Sequence, residues 1–173
     1  MPDEPVFFCH VDTPIGPMLL AGGPGRLLVA SFPSGGRARR PRPGWAEDRA
    51  ALAAAAGQLG EYFAGERTEF ELQLEPRGNP FQMAVWAEMR RIPYGETVSY
   101  GEIARRIGEP LSASRAVGAA SGANPLPVFI PCHRVVGADR SLVGFGGGLP
   151  TKRFLLDLEF RVRPPGDTLF AWT

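Results

Sequence analysis

Around Glu75–Asn79 the chain changes texture, and this break constrains the fold more than any other feature. Before it, short β-prone runs alternate with turns; after it, apolar residues recur at helical spacing. Val6–Val11, Met18–Ala21 and Arg26–Phe32 are separated by Thr13-Pro14-Ile15-Gly16-Pro17 and Gly22-Gly23-Pro24-Gly25. They read as a small antiparallel meander. Trp45–Ala64 is alanine-rich, with Leu52, Ala56, Leu59 and Phe63 on one face, and predicts a helix packed on that sheet. Thr68–Leu74 alternates and predicts one more strand. Pro33–Gly44 (PSGGRARRPRPG) holds no regular pattern and reads as a mobile, solvated basic loop, with a nucleic-acid contact as the less favoured alternative.

Past Pro80, Phe81, Val85 and Met89 mark one amphipathic helix ending at Ile92-Pro93-Tyr94-Gly95. Ser99 with Glu102 makes a capping-box pattern that opens a second helix over Tyr100–Ile107, stopped by Gly108 and Pro110. A third runs from Ser112 to about Gly122 and stops at Asn124-Pro125. Two short helices joined by a glycine-containing turn suggest helix-turn-helix. Val128–Ile130 follows as an extended run. Arg134–Val136 and Leu142–Val143 around Gly137–Arg140 predict a hairpin or wing, and a last helix spans Pro150–Phe160. The expected architecture is therefore α+β in two domains. Residues 1–75 would form a small antiparallel sheet with a helix, 76–79 a linker, 80–163 a mostly helical winged helix-turn-helix domain, and 164–173 a tail.

With 44% hydrophobic residues and 21% charged among 173, the chain can bury a core, which excludes wholesale disorder. No apolar run reaches membrane-spanning length. An acidic start and two cysteines lead us to expect no secretory signal, no disulfide framework and a cytoplasmic location. The overall charge of +1 hides an asymmetry: residues 1–78 sum to −2 and 79–163 to +4. That balance permits a DNA partner without requiring one.

The third helix, Arg115-Ala116-Val117-Gly118-Ala119-Ala120-Ser121-Gly122, has few side chains able to read a major groove. It is either a tightly packed core helix or one slim enough for the minor groove, with Arg115 as its long probe. Ile130-Pro131-Cys132-His133-Arg134-Val135 carries the chemistry. A thiolate is the reactive form of cysteine, and a neighbouring histidine can lower the thiol pKa. Adjacent residues do not share a face, so His133 would reach Cys132 through a turn or a bridging water. Glu159 and Asp157 are both candidates to orient the imidazole. An inert buried cysteine beside a structural histidine is the competing reading. Cys9-His10 and Cys132-His133 supply four zinc-type ligands, but adjacent residues chelate one tetrahedral ion poorly, so no metal or other cofactor is expected.

These motifs, in order, are similar to the methylated-DNA–protein-cysteine methyltransferases. The resemblance rests on Phe81–Trp86, Ile92–Ala104, Arg115–Ala120, Asn124-Pro125, Ile130–Val135 and Gly147–Glu159, and covers Pro80 to Glu159 almost without a break. Ile15-Gly16-Pro17 and Tyr62–Gly65 match loosely. The resemblance implies a single-use repair protein that takes an alkyl group from O6 of guanine, less readily from O4 of thymine, onto Cys132. It implies Tyr100 as proton donor, His133 as water-mediated base oriented by Glu159, Lys152 favouring the anionic sulfur, and Asn124 holding the turn before the site. It also implies a minor-groove DNA face of Arg115, Ala116, Ala119, Ser121, Gly122 and Tyr100, with Arg115 filling the space left by a flipped nucleotide. The guanine pocket would comprise Cys132, Val135, Phe145, Gly146 and Gly147, roomier because Phe145 and Gly146 lack the hydroxyls that some members carry. The partner would be double-stranded DNA with alkylated guanine or thymine, bound by a monomer, alone or cooperatively. Glu109–Ser114 is one residue longer than the family pattern. The rivals are a non-catalytic winged-helix or damage-recognition module, and a cysteine hydrolase that turns over repeatedly.

Overall fold

The computed structural model describes residues 4–164; the expected tail lies, apart from Pro164, outside them. Strands β1 (Phe7–Val11), β2 (Met18–Gly23) and β3 (Arg26–Ser31) form the expected meander. β1 pairs antiparallel with β2, Phe7 opposite Gly22 and Val11 opposite Met18, and β2 pairs antiparallel with β3. All six residues of β2 are buried, as a central strand covered on both faces requires.

Two expectations shift at the sheet edges. The helix does not begin at Trp45, because Ala46–Glu47 (β4) pairs in parallel with β1. The Asp48 side chain then accepts a hydrogen bond from Ala51 N. After a 3-10 turn at Ala50–Leu52, helix α1 runs Ala53–Phe63 and buries Ala55, Ala56, Leu59 and Tyr62. Phe63 is only partly buried. Thr68–Leu74 is not a strand over its length: only Gln73–Leu74 (β5) pairs, in parallel with β3. Farther along β3, Ala30 N donates instead to Pro125 O at 2.9 Å. The sheet order is β4-β1-β2-β3-β5.

Helix α2 (Pro80–Arg90) has a full capping box, Asn79 Oδ1 accepting from Gln82 N and Gln82 Oε1 from Asn79 N, with Pro80 at a position that needs no donor. After Val98–Ser99 (β6) comes α3 (Tyr100–Arg106). Its expected box is half present: Ser99 Oγ accepts from Glu102 N, but the Glu102 carboxylate is held by Arg105 and Arg106. A 3-10 turn at Leu111–Ala113 absorbs the longer connection and leads into α4 (Ser114–Gly122). Val128–Ile130 is a turn rather than an extended run, with one isolated bridge from Pro127 to Ile130. The expected hairpin is absent too. Val135–Val136 (β7) pairs in parallel with β6, and Gly137–Ser141 closes as a tight turn with Gly137 N donating to Ser141 O. Helix α5 (Leu149–Val162) ends the described chain. One apolar cluster runs without a gap from Cys9, Leu27 and Tyr62 to Val117, Val135 and Leu158. The sheet side and the helical side therefore share a core, and the site forms where they meet.

Candidate active site and DNA-facing surface

The segment between α4 and β7 is built by one side chain. Asn124, nearly buried, donates through Nδ2 to Ile130 O and accepts through Oδ1 from Leu126 N, both at 2.9 Å. This clamp holds a tight loop in which Val128, a β-branched residue, adopts φ 75°, a strained conformation that only surrounding structure can impose. The chain leaves the loop through a 3-10 turn at Cys132–Arg134, which answers how adjacent residues can point to different neighbours.

Cys132 is 5% exposed and lines a cavity of about 630 Å³. Tyr100, Asn124, Arg115, Ser121 and Phe145 share its wall, as do Ser31, Phe32 and Arg37–Arg39 from the other side of the molecule. Burial raises the Cys132 pKa, while the Asn124 amide and the Lys152 ammonium pull it down. The sequence leads one to expect a thiol lowered by His133 and Glu159; the balance instead favours the protonated thiol at rest, because desolvation outweighs its partners.

Next in the chain, His133 is fully buried, its Nε2 2.5 Å from Glu159 Oε2. Its Nδ1 has no hydrogen-bond partner among the described residues. Burial lowers the His133 pKa against the pull of Glu159, so the ring rests neutral with Nε2–H donating and the Nδ1 lone pair available. Of the two candidate orienters, Asp157 is exposed and Glu159 is 1% exposed. Arg134 grips Glu159 with two bonds, Nε to Oε1 at 2.8 Å and Nη2 to Oε2 at 3.1 Å. Together with the His133 bond, Gly95 N adds a fourth at 3.2 Å and the Tyr62 hydroxyl a fifth at 2.7 Å. Burial alone would raise the Glu159 carboxyl, but His133 and Arg134 hold it well below the ordinary range.

Buried Lys152 donates to Val135 O (2.6 Å), Val143 O (3.3 Å) and Tyr100 Oη (3.4 Å). Burial brings its pKa down to about 8, against the attraction of Cys132. Burial, and then the charge of Cys132, push Tyr100 up to about 12, so the phenol keeps its proton and can donate it. A thiol and a protonated phenol thus share one cavity wall, and the imidazole held by Glu159 is the residue next to that thiol.

Helix α4 turns its small residues outward: Arg115, Ala116 and Ala119 are exposed, Gly122 is half-buried, and Ser121 faces the cavity. Val117 and Ala120 are buried, and Trp86 Nε1 donates to Ala120 O at 2.8 Å, which seats the helix on α2. Of the expected pocket residues, Cys132, Phe145 and Gly146 line the cavity. Val135 and Gly147 stand behind its wall: the Val135 carbonyl is taken by Lys152, and Gly147 lies against the Phe32 ring. The loop read from sequence as a solvated segment is instead tied down. Arg39 N donates to Ser31 Oγ, the Phe32 and Phe145 rings pack 5.4 Å apart, and Arg37 lies beside Gly122 and Gly146. Sequence reasoning also missed Arg134 and Tyr62. A tyrosine on the buried face of an alanine-rich helix was the available signal, since its hydroxyl must find a partner.

Comparison with known proteins points to one family. Residues 80–161 match the 6-O-methylguanine DNA methyltransferase DNA-binding domain, and 7–76 its ribonuclease-like domain. A methylated-DNA–protein-cysteine methyltransferase of Mycolicibacterium paratuberculosis is 50% identical over 161 residues, 92% of this chain and 96% of that protein. One from Methanosarcina acetivorans is 45% identical over 154 residues, 89% and 98% of the two chains. The crystal structure of Mycobacterium tuberculosis OGT in complex with DNA superposes with a TM-score of 0.85 at 47% identity, covering 91% of this chain and 95% of that one.

Proposed function

The chain belongs to the methylated-DNA–protein-cysteine methyltransferase family, and on that premise we propose that Cys132 is the residue that takes up the alkyl group. The protein is a DNA repair methyltransferase that moves an alkyl group from alkylated guanine in DNA to its own cysteine. The observation that supports the residue assignment is that Cys132 and Tyr100 line one cavity, with the Lys152 ammonium bonded to the Tyr100 oxygen and lowering the thiol, while the next residue, His133, is buried against Glu159.

The helix α4 enters the minor groove, Arg115 takes the place of the rotated nucleotide, and the base enters the cavity. Cys132 gives up its proton toward His133 Nδ1 through water as the sulfur attacks the alkyl carbon. The carbon–oxygen bond breaks as the sulfur–carbon bond forms. Tyr100 donates a proton to the departing guanine, and Lys152, in contact with the Tyr100 oxygen, replaces it. The thioether product is not hydrolysed, so each molecule acts once. This division of labour assigns DNA binding and chemistry to residues 80–163 and a supporting sheet to residues 1–75, joined at 76–79. O4-alkylthymine is the lesser substrate, no cofactor takes part, and a monomer working in the cytoplasm fits a buried free thiol. Among the described residues, no helix is long and apolar enough to cross a membrane.

Replacing the sulfur separates binding from chemistry. Cys132→Ala should abolish transfer from a methylguanine duplex while leaving affinity for that duplex within about twofold. Transfer that persists in the variant rules out Cys132 as acceptor.

A further inference from the structure

We infer that Tyr62, on α1, is a positioning residue for alkyl transfer, whose hydroxyl sets how strongly Glu159 acts on His133. The sheet side of the molecule thereby tunes the pH range of chemistry performed on the helical side. This rests on the roles given above to Cys132, His133 and Glu159.

Tyr62 and Glu159 stand 97 residues apart in sequence, and both are essentially inaccessible to solvent. The phenol donates to Glu159 Oε2, the same oxygen that receives His133 Nε2–H. With Arg134 Nη2, three donors share the charge of this oxygen, so each weakens the others' hold. The ring is fixed by edge contacts with Phe63 and Tyr94 and a tilted contact with Phe70, which leaves the hydroxyl little freedom to turn away. Burial and the Glu159 charge keep the phenol protonated, so it acts as a donor throughout the working pH range.

The groups that face this carboxylate come from every element packed on it. They are Tyr62 from α1, Gly95 N and Tyr94 from the segment after α2, and His133 and Arg134 from the 3-10 turn. Lys152, on the same helix as Glu159, adds positive charge near His133. Lys152 titrates only near 8, so it does not mimic a change at Tyr62 on the acid side. Without the phenol, Glu159 concentrates its charge on His133 and raises the pKa of the imidazole. Transfer needs that imidazole neutral, so the acid limb of the rate profile moves to higher pH.

The test is single-turnover transfer from a methylguanine duplex at saturating protein, followed from about pH 5 to 9. Tyr62→Phe should move the acid limb upward by about 0.5–1 pH unit. Site-specific 3-fluorotyrosine at position 62, a stronger donor that keeps the ring and hydroxyl, should move it downward. Phe63→Leu loosens the same packing without touching the hydroxyl, and should lower Tm without moving the limb. Should Tyr62→Phe fail to fold, the fluorinated protein carries the test alone. An unmoved limb in the fluorinated protein, or an equal shift in Phe63→Leu, overturns the inference. The wild-type arm separately checks the underlying assignment: an alkyl group mapped away from Cys132 defeats that reading, whatever Tyr62 does.

Discussion

Glu159→Gln should cost the protein much of its stability as well as its activity. The carboxylate accepts from Tyr62, His133, Gly95 N and twice from Arg134, at 1% exposure. Glutamine offers one acceptor oxygen and turns an NH2 group toward donors. It also leaves the Arg134 guanidinium, 7% exposed, without a counter-charge. Breaking one side of a buried ion pair typically costs about 3–5 kcal/mol. For a chain of this length, about 2–4 °C per kcal/mol converts that into a Tm drop of about 6–20 °C. The pH dependence follows from the depressed carboxyl pKa. A group whose folded pKa lies below its unfolded value contributes stability above the unfolded value, about 4.3 for glutamate, and loses it as pH falls toward the folded one. The stability gap between wild type and variant should therefore be full at pH 6–7 and shrink below about pH 4.3. Urea unfolding of both proteins between pH 3 and 7 measures it. A gap under about 1 kcal/mol at pH 7, or one that does not shrink in acid, refutes a buried, ion-paired Glu159.

Two further predictions concern the cavity's other walls. Arg115, exposed at the start of α4, should matter for duplex repair and little for free methylguanine base, where nothing is unstacked. If Arg115→Ala is rescued fully by saturating the duplex with protein, the arginine is a simple phosphate contact. Gly35 has φ 106°, and a Cβ there would clash with the Gly146 carbonyl. Gly35→Ala should cost about 1–3 kcal/mol and slow transfer by displacing residues 144–148, read out by Tm and single-turnover rate; an unchanged rate would show that the loop over 33–44 does not support the pocket.

The helical half was legible because its signals are local. The punctuation at Pro80, Gly108 and Asn124-Pro125 fixes the helix ends, and Pro131-Cys132-His133 sits on a turn that needs no distant partner. What stayed hidden depends on contacts far apart in sequence. β4 exists because β1 offers an edge, and of the 68–74 run only Gln73–Leu74 finds a partner, in parallel with Arg26–Leu27 of β3. The hairpin after Arg134 gives way to pairing between Val135–Val136 and Val98–Ser99. The thiol pKa was misjudged for the same reason: pairing with histidine is visible in sequence, whereas the desolvation that outweighs it is set by the fold. Arg37 reaches the pocket from a segment whose composition signals only a loop.

The central claim is that one sulfur accepts one alkyl group and is consumed. Mass spectrometry of the protein mixed with excess methylguanine duplex, followed by peptide mapping, tests it directly. The predicted result is a gain of one CH2 per protein molecule, located on Cys132 and not on Cys9, with no further demethylation when fresh DNA is added. A methyl group on Cys9, or continued turnover by protein whose Cys132 remains unmodified, would contradict it.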